Sequence, residues 1–180
     1  MKNSSRTVSW AGSLRDPSSV KRVGEIFDHP RFFVNEDSAR HIHQGDSGTC
    51  WFVAALSTVR NCNHRQNLVE RLCVDRDEEV GVYGFLFFRD GEWISVIVDD
   101  KLFLRTEDYE ALSERERSGW EDNRVRVQAV EEYRKLYQTN SRALVYAHSS
   151  HPDETWVPLF EKAFAKAHKD YAALNGGAFG

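Results

Sequence analysis

The sharpest pattern of apolar and polar positions lies mid-chain. Val82 to Phe88 and Trp93 to Val98 are dominated by Val, Ile, Phe, Tyr and Trp, and Arg89-Asp90-Gly91-Glu92 separates them. This predicts an antiparallel hairpin with Gly91 in its turn, ended by Asp99-Asp100. Near the end, Trp156, Leu159, Phe160, Ala163, Phe164, Ala167, Tyr171 and Leu174 recur at helical spacing. Pro158 fits only in the first turn of that helix, and Gly176-Gly177 can stop it. A third strong signal runs from about Cys50 to Arg60. Trp51, Ala54, Ala55, Leu56 and Val59 make it apolar nearly all round, so a buried helix is expected.

The remaining signals are weaker. Residues 1 to about 18 are polar and aperiodic, and read as a flexible tail, with Trp10 able to anchor it. Val20 to Phe33 reads as a short turn or helix closed by Pro30, and Val34 to Thr49 as a loop. A second helical piece is expected over about Arg65 to Leu72, and a strand over Ala143 to Ala147. Thr106 to Asn140 is dense in Glu and Arg. Its faint helical periodicity in Val125, Val127, Val130, Tyr133, Leu136 and Tyr137 marks it as a charged, partly helical insertion. Helices before, within and after a small antiparallel sheet give an α+β class.

Composition narrows the field further. The chain has 180 residues, enough for one domain or one large lobe with a core. A net charge of −4 gives no reason to expect a nucleic-acid partner. No stretch approaches the roughly 20 apolar residues of a membrane span, and no apolar region follows the N-terminus as in a secretory signal. Three cysteines form neither a disulfide framework nor a zinc-like spacing, so a reducing cytoplasmic setting is expected.

The chemistry concentrates in Gln44-Gly45-Asp46-Ser47-Gly48-Thr49-Cys50-Trp51, which runs straight into Phe52-Val53-Ala54-Ala55-Leu56. A cysteine at the junction of a Gly-rich loop and a helix meets free N–H groups and the positive end of the helix dipole, which favour the nucleophilic thiolate. Gln44 can point an amide N–H at the oxyanion formed when that sulfur attacks a carbonyl. The bland alternative is a small buried thiol, the usual fate of free Cys and the expectation for Cys62 and Cys73. His41-Ile42-His43 sets two imidazoles on one side of an extended stretch, with no third ligand at useful spacing. Ordinary loop histidines are the favoured reading there.

These residues resemble the calpain family of cysteine proteases, most closely its fungal calpain-like branch. The resemblance rests on Val20-Lys21-Arg22-Val23-Gly24-Glu25-Ile26-Phe27, the Gln44 to Leu56 segment, Gly91-Glu92-Trp93 with Val98-Asp99-Asp100-Lys101-Leu102, Phe160-Glu161-Lys162-Ala163-Phe164-Ala165-Lys166, and Leu174-Asn175-Gly176-Gly177. It implies a papain-like fold of two lobes, of which residues 19–180 would be the first, interrupted by the insertion at about 106–140. It also implies that Cys50 is the nucleophile and Gln44 the oxyanion donor, in a Cys, His, Asn version of triad logic. Thr49 stands where the family has an aspartate, and can cap the helix. The general-base His and the orienting Asn would come from a second lobe beyond Gly177. The 180 residues alone are therefore expected to show no measurable peptidase turnover.

The resemblance further implies protein substrates, a cytoplasmic location and a calcium site. Glu154 matches the family's glutamate ligand, and Val34 and Glu36 lie where backbone carbonyl donors would be. His41 stands at the expected aspartate, and imidazole is a poor ligand for calcium. Glu154 could equally serve as an acid near a helix N-terminus. The alternative reading of the whole is a truncated, non-catalytic calpain relative that binds or regulates.

Overall fold

The computed structural model describes residues 18–34, 42–46, 48–61, 71–122 and 124–174. Among these, seven strands form three small antiparallel sheets. Strand β1 (Ser19–Arg22) pairs with β6 (Lys101–Leu104), and β2 (Ile42–His43) with β7 (His148–Ser149). Strands β3 (Cys73–Asp77), β4 (Val82–Arg89) and β5 (Glu92–Asp99) form the third sheet in that order. The helices are α1 (Val23–Ile26), α2 (Cys50–Asn61), α3 (Glu114–Glu121), α4 (Arg126–Tyr137) and α5 (Trp156–Ala167). The class is α+β, as the pattern predicts.

The β4–β5 hairpin forms in the expected place, with Arg89 opposite Glu92 and Val82 opposite Asp99. Asp90 and Gly91 both take positive φ, 54° and 86°, which is the two-residue turn whose twist matches its flanking strands. Alternation then sends Tyr83, Phe85, Phe87, Val96 and Val98 inward. Helix α5 packs on that face. Phe160 meets Phe85 edge-on at 5.6 Å between ring centres and Phe87 at 5.4 Å. Truncating a core aromatic of this kind costs about 3–5 kcal/mol.

The helix enclosed on all sides is α5, not α2. Every residue from Glu154 to Ala163 is buried. In α2 the apolar residues Phe52, Val53 and Leu56 turn inward, while Ala54 and Ala55 are exposed. Small alanines fit a solvent face as readily as a core, which is why apolar count overstated the burial of α2. Helix α5 also stops earlier than its periodicity suggests. It ends at Ala167, and Lys169 takes φ 101°. Tyr171 and Leu174 reach the core from the short 3-10 turn region that follows. Gly176-Gly177 lies outside the described residues, as do residues 1–17 and most of the helix expected over 65–72.

Two further expectations need correction. Ala143 to Ala147 is buried throughout but forms no strand ladder. Its backbone is used singly instead, with Val145 N–H donating to Phe103 O (3.3 Å) and Val145 O accepting from Asp46 N–H (2.8 Å). In the charged segment, the buried stripe is Ala129 and Tyr133 with Val130 beside it, while Val125, Val127 and Leu136 are exposed. Helices α3 and α4 enclose their own small cluster of Tyr109, Leu112, Ala129 and Tyr133. Ser113 and Glu116 cap α3 reciprocally.

Candidate active site

Cys50 is the first residue of α2 and is exposed. It opens a solvent-facing stripe that continues one turn on with Ala54 and then Thr58, all exposed. The opposite face anchors the helix. Phe52 stacks on Phe164 at 4.7 Å and on Phe160 at 6.0 Å. Trp51 Nε1 donates to Leu174 O at 2.8 Å, tying the first turn of α2 to the segment after α5. The helix start is thus fixed by aromatic packing on one side, while the sulfur stays accessible on the other.

The loop before it is held at one end by Val145 and Tyr146 and at the other by Glu161. Gln44 is exposed and directly follows β2. Gly45 lies against the backbone of Val145 and Tyr146 so closely that a Cβ would sit 2.1 Å from Val145 O. Only glycine allows that approach. Asp46 N–H donates to Val145 O, and its carboxylate meets Arg105 at 3.1 Å. At the other end Thr49, fully buried, donates its hydroxyl to Glu161 Oε1 at 2.8 Å. Glu161 Oε2 accepts from Ala147 N–H at 2.7 Å. Thr49 O accepts from Val53 N–H at 3.0 Å, the first hydrogen bond of α2. One buried carboxylate on α5 therefore joins the residue before Cys50 to the extended segment 145–147 that holds Gly45 and Asp46.

Sequence reasoning placed Gly45, Asp46 and Glu161 in its motifs without a role for them, and missed Arg105. Glu161 carried a readable signal. It stands between Val157 and Ala165 at four-residue spacing, on a helix face that is otherwise apolar. A carboxylate there has to find donors inside. Lys162 beside it is equally enclosed, and its ammonium spends its three donors on Asp99 O, Asp99 Oδ1 and Lys101 O. Desolvation opposes ionisation of Asp99, and the Lys162 ammonium overcomes it, so that carboxyl titrates below its usual range. Asp99 also accepts from Lys101 N–H, and Asp100 pairs with Arg22, the turn and strand-end roles expected of them.

No histidine among the described residues is hydrogen-bonded to Cys50. His148 Nδ1 lies 3.3 Å from Tyr146 O, His151 Nδ1 accepts from Asp153 N–H, and His168 packs on Phe164 at 4.4 Å. His41 and His64 lie outside the described residues.

Glu154 and Val34 are brought together. Glu154 is fully buried and its Oε1 accepts from Val34 N–H at 3.0 Å. Around them, residues 31–32 and 153–156 run side by side, with Arg31 N–H donating to Asp153 O and Trp156 N–H to Phe32 O. Glu36 and His41 lie outside the described residues. Among the described residues no group of three or more His, Cys, Asp or Glu is arranged to hold a metal. Glu154 supplies one hard oxygen donor of the six to eight that calcium takes. No described helix is long and apolar enough to cross a membrane.

Comparison with known proteins agrees with the geometry. The sequence profile described as calpain family cysteine protease matches residues 12–123 and 120–180. Calpain-5 of Mus musculus is 33% identical over 167 residues, covering 87% of this chain and 20% of its own length. Calpain-B of Drosophila melanogaster is 31% identical over 160 residues, covering 87% of this chain and 13% of its own. Calpain-5 of Caenorhabditis elegans is 30% identical over 165 residues, with 87% and 20% covered. The chain spans a fifth or less of the length of these curated relatives.

Proposed function

The chain belongs to the calpain family of cysteine proteases, and from that premise we propose that Cys50 is the nucleophile of an endopeptidase acting on protein substrates. The observation that carries this is the placement of an exposed Cys50 at the start of a 12-residue helix, behind a loop fixed by Gly45, Asp46 and the Thr49–Glu161 hydrogen bond. The sulfur attacks the scissile carbonyl and a C–S bond forms. The resulting oxyanion is held by the Gln44 side-chain N–H and the Cys50 backbone N–H. The amine leaves with a proton from a histidine, giving a thioester. Water, giving a proton back to that histidine, then attacks the thioester carbonyl, the C–S bond breaks, the carboxylic acid leaves, and the thiolate returns.

The histidine and its orienting asparagine belong, in this reading, to a second lobe that closes over the first. Casein turnover by the 180 residues alone, abolished by Cys50→Ala, would refute that part. The nucleophile is tested on the protein as it occurs in the cell. A peptidyl vinyl sulfone should add one equivalent to Cys50 by mass spectrometry. Labelling elsewhere, or none, contradicts the assignment.

Calcium responsiveness and a cytoplasmic setting extend the proposal. In this reading the Glu154 carboxylate, the backbone carbonyl of Val34 and Glu36 would supply hard oxygen donors to calcium. Calcium should raise the melting temperature of the protein, and Glu154→Gln should remove that rise. Free Cys50 and Cys73 accord with a reducing compartment.

A further inference from the structure

The β2–β7 pair sets two imidazoles side by side next to the loop that carries Gln44. His43 is directly opposite His148 in the antiparallel register. Their ring centres are 5.5 Å apart with an interplanar angle of 31°. Two imidazole nitrogens on one tetrahedral zinc, each at about 2 Å, put the ring centres about 5 Å apart. The observed separation is thus within a rotamer adjustment of joint ligation.

His148 is also prepared as a ligand. Its Nδ1 lies 3.3 Å from Tyr146 O. A carbonyl only accepts, so Nδ1 carries the proton and the lone pair is on Nε2. A backbone carbonyl on the far nitrogen is the partner that metal-bound histidines have elsewhere, fixing both tautomer and ring orientation. The Arg105 guanidinium lies near this ring. Arg105 is offset by its ion pair with Asp46. His43 is exposed and free to turn towards the same point.

We propose that His43 and His148 form a two-histidine site for a borderline-soft divalent ion such as Zn2+, completed by water. Nothing in it depends on Cys50 acting as a nucleophile. With two protein ligands the site is exchangeable rather than structural. An ion there would clamp β2 to β7 one residue before Gln44.

The test is calorimetric titration of zinc chloride into the full chain carrying Cys50→Ala, which removes the exposed thiol as a competing ligand. One zinc per chain should bind, and His43→Gln should weaken it by about tenfold or more. His43 is exposed, so that variant keeps its fold. His148→Gln should weaken binding likewise, with circular dichroism confirming its fold. No zinc binding, or binding that survives His43→Gln unchanged, overturns the proposal.

Discussion

Replacing Thr49 with Val keeps a β-branched side chain of nearly the same shape and removes only the hydroxyl. That hydroxyl donates to Glu161 Oε1 at 2.8 Å, with both residues fully buried. A hydrogen bond to a charged group contributes about 1.5–3 kcal/mol, and water does not reach the buried Glu161 to replace the lost one. Thr49→Val should therefore cost about 2 kcal/mol or somewhat more. Thr49→Ser keeps the hydroxyl and loses one methyl, for about 0.8 kcal/mol. Urea unfolding read by tryptophan fluorescence separates the two, since Trp156 is fully buried. With a slope of about 2 kcal/mol per molar urea, Thr49→Val should lower the midpoint by about 1 M and Thr49→Ser by less than half of that. A Thr49→Val loss under about 0.5 kcal/mol, the range of ordinary surface substitutions, would refute the claim that Glu161 anchors the loop. So would an equal loss from Thr49→Ser.

Other consequences follow from the same geometry. Gly45→Ala places a Cβ 2.1 Å from Val145 O and 2.3 Å from the Tyr146 carbonyl carbon, so the loop has to move; we expect a loss above about 2 kcal/mol in thermal unfolding, and an unchanged melting temperature would contradict the contact. Iodoacetamide at neutral pH should alkylate exposed Cys50 well before Cys73, whose thiol is pushed up by burial and stays protonated through the neutral range; equal rates in peptide mapping would overturn this. His168 is held below the ordinary imidazole value by burial, with Arg89 adding to it. Because its folded value lies below its unfolded one, its contribution to stability is full above about pH 6.5 and is lost as pH falls below that, through the folded value. His168→Gln should flatten that part of the stability profile, and a slope unchanged in the variant would count against it.

Sequence patterning read the β4–β5 hairpin and the apolar stripe of α5 because both rest on strong local signals. Alternating β-branched and aromatic residues around Asp90-Gly91 specify their own pairing. Helix α5 places an aromatic or aliphatic side chain at each core position. Strand β3 was not visible, since Asp75, Arg76 and Asp77 are polar and exposed, and they pair through backbone alone. The two-residue strands β2 and β7 carry too few residues for any period. At the site, Cys50 and Gln44 stood out by their place in the Gln44 to Leu56 segment. The residues that hold them did not, because Gly45, Asp46 and Thr49 find their partners about 100 residues away, at Val145, Tyr146 and Glu161. Such contacts exist only after the chain has folded.

The central claim is that Cys50 performs the attack and Gln44 holds the oxyanion. It is tested most directly by casein cleavage kinetics on the protein as it occurs in the cell, with Cys50→Ala and Gln44→Ala alongside. The account predicts no turnover from Cys50→Ala. From Gln44→Ala it predicts kcat lower by about 10²–10³-fold with KM little changed, the signature of a lost oxyanion donor. Cleavage that survives Cys50→Ala, or a Gln44→Ala variant that matches the parent protein in kcat, would contradict it.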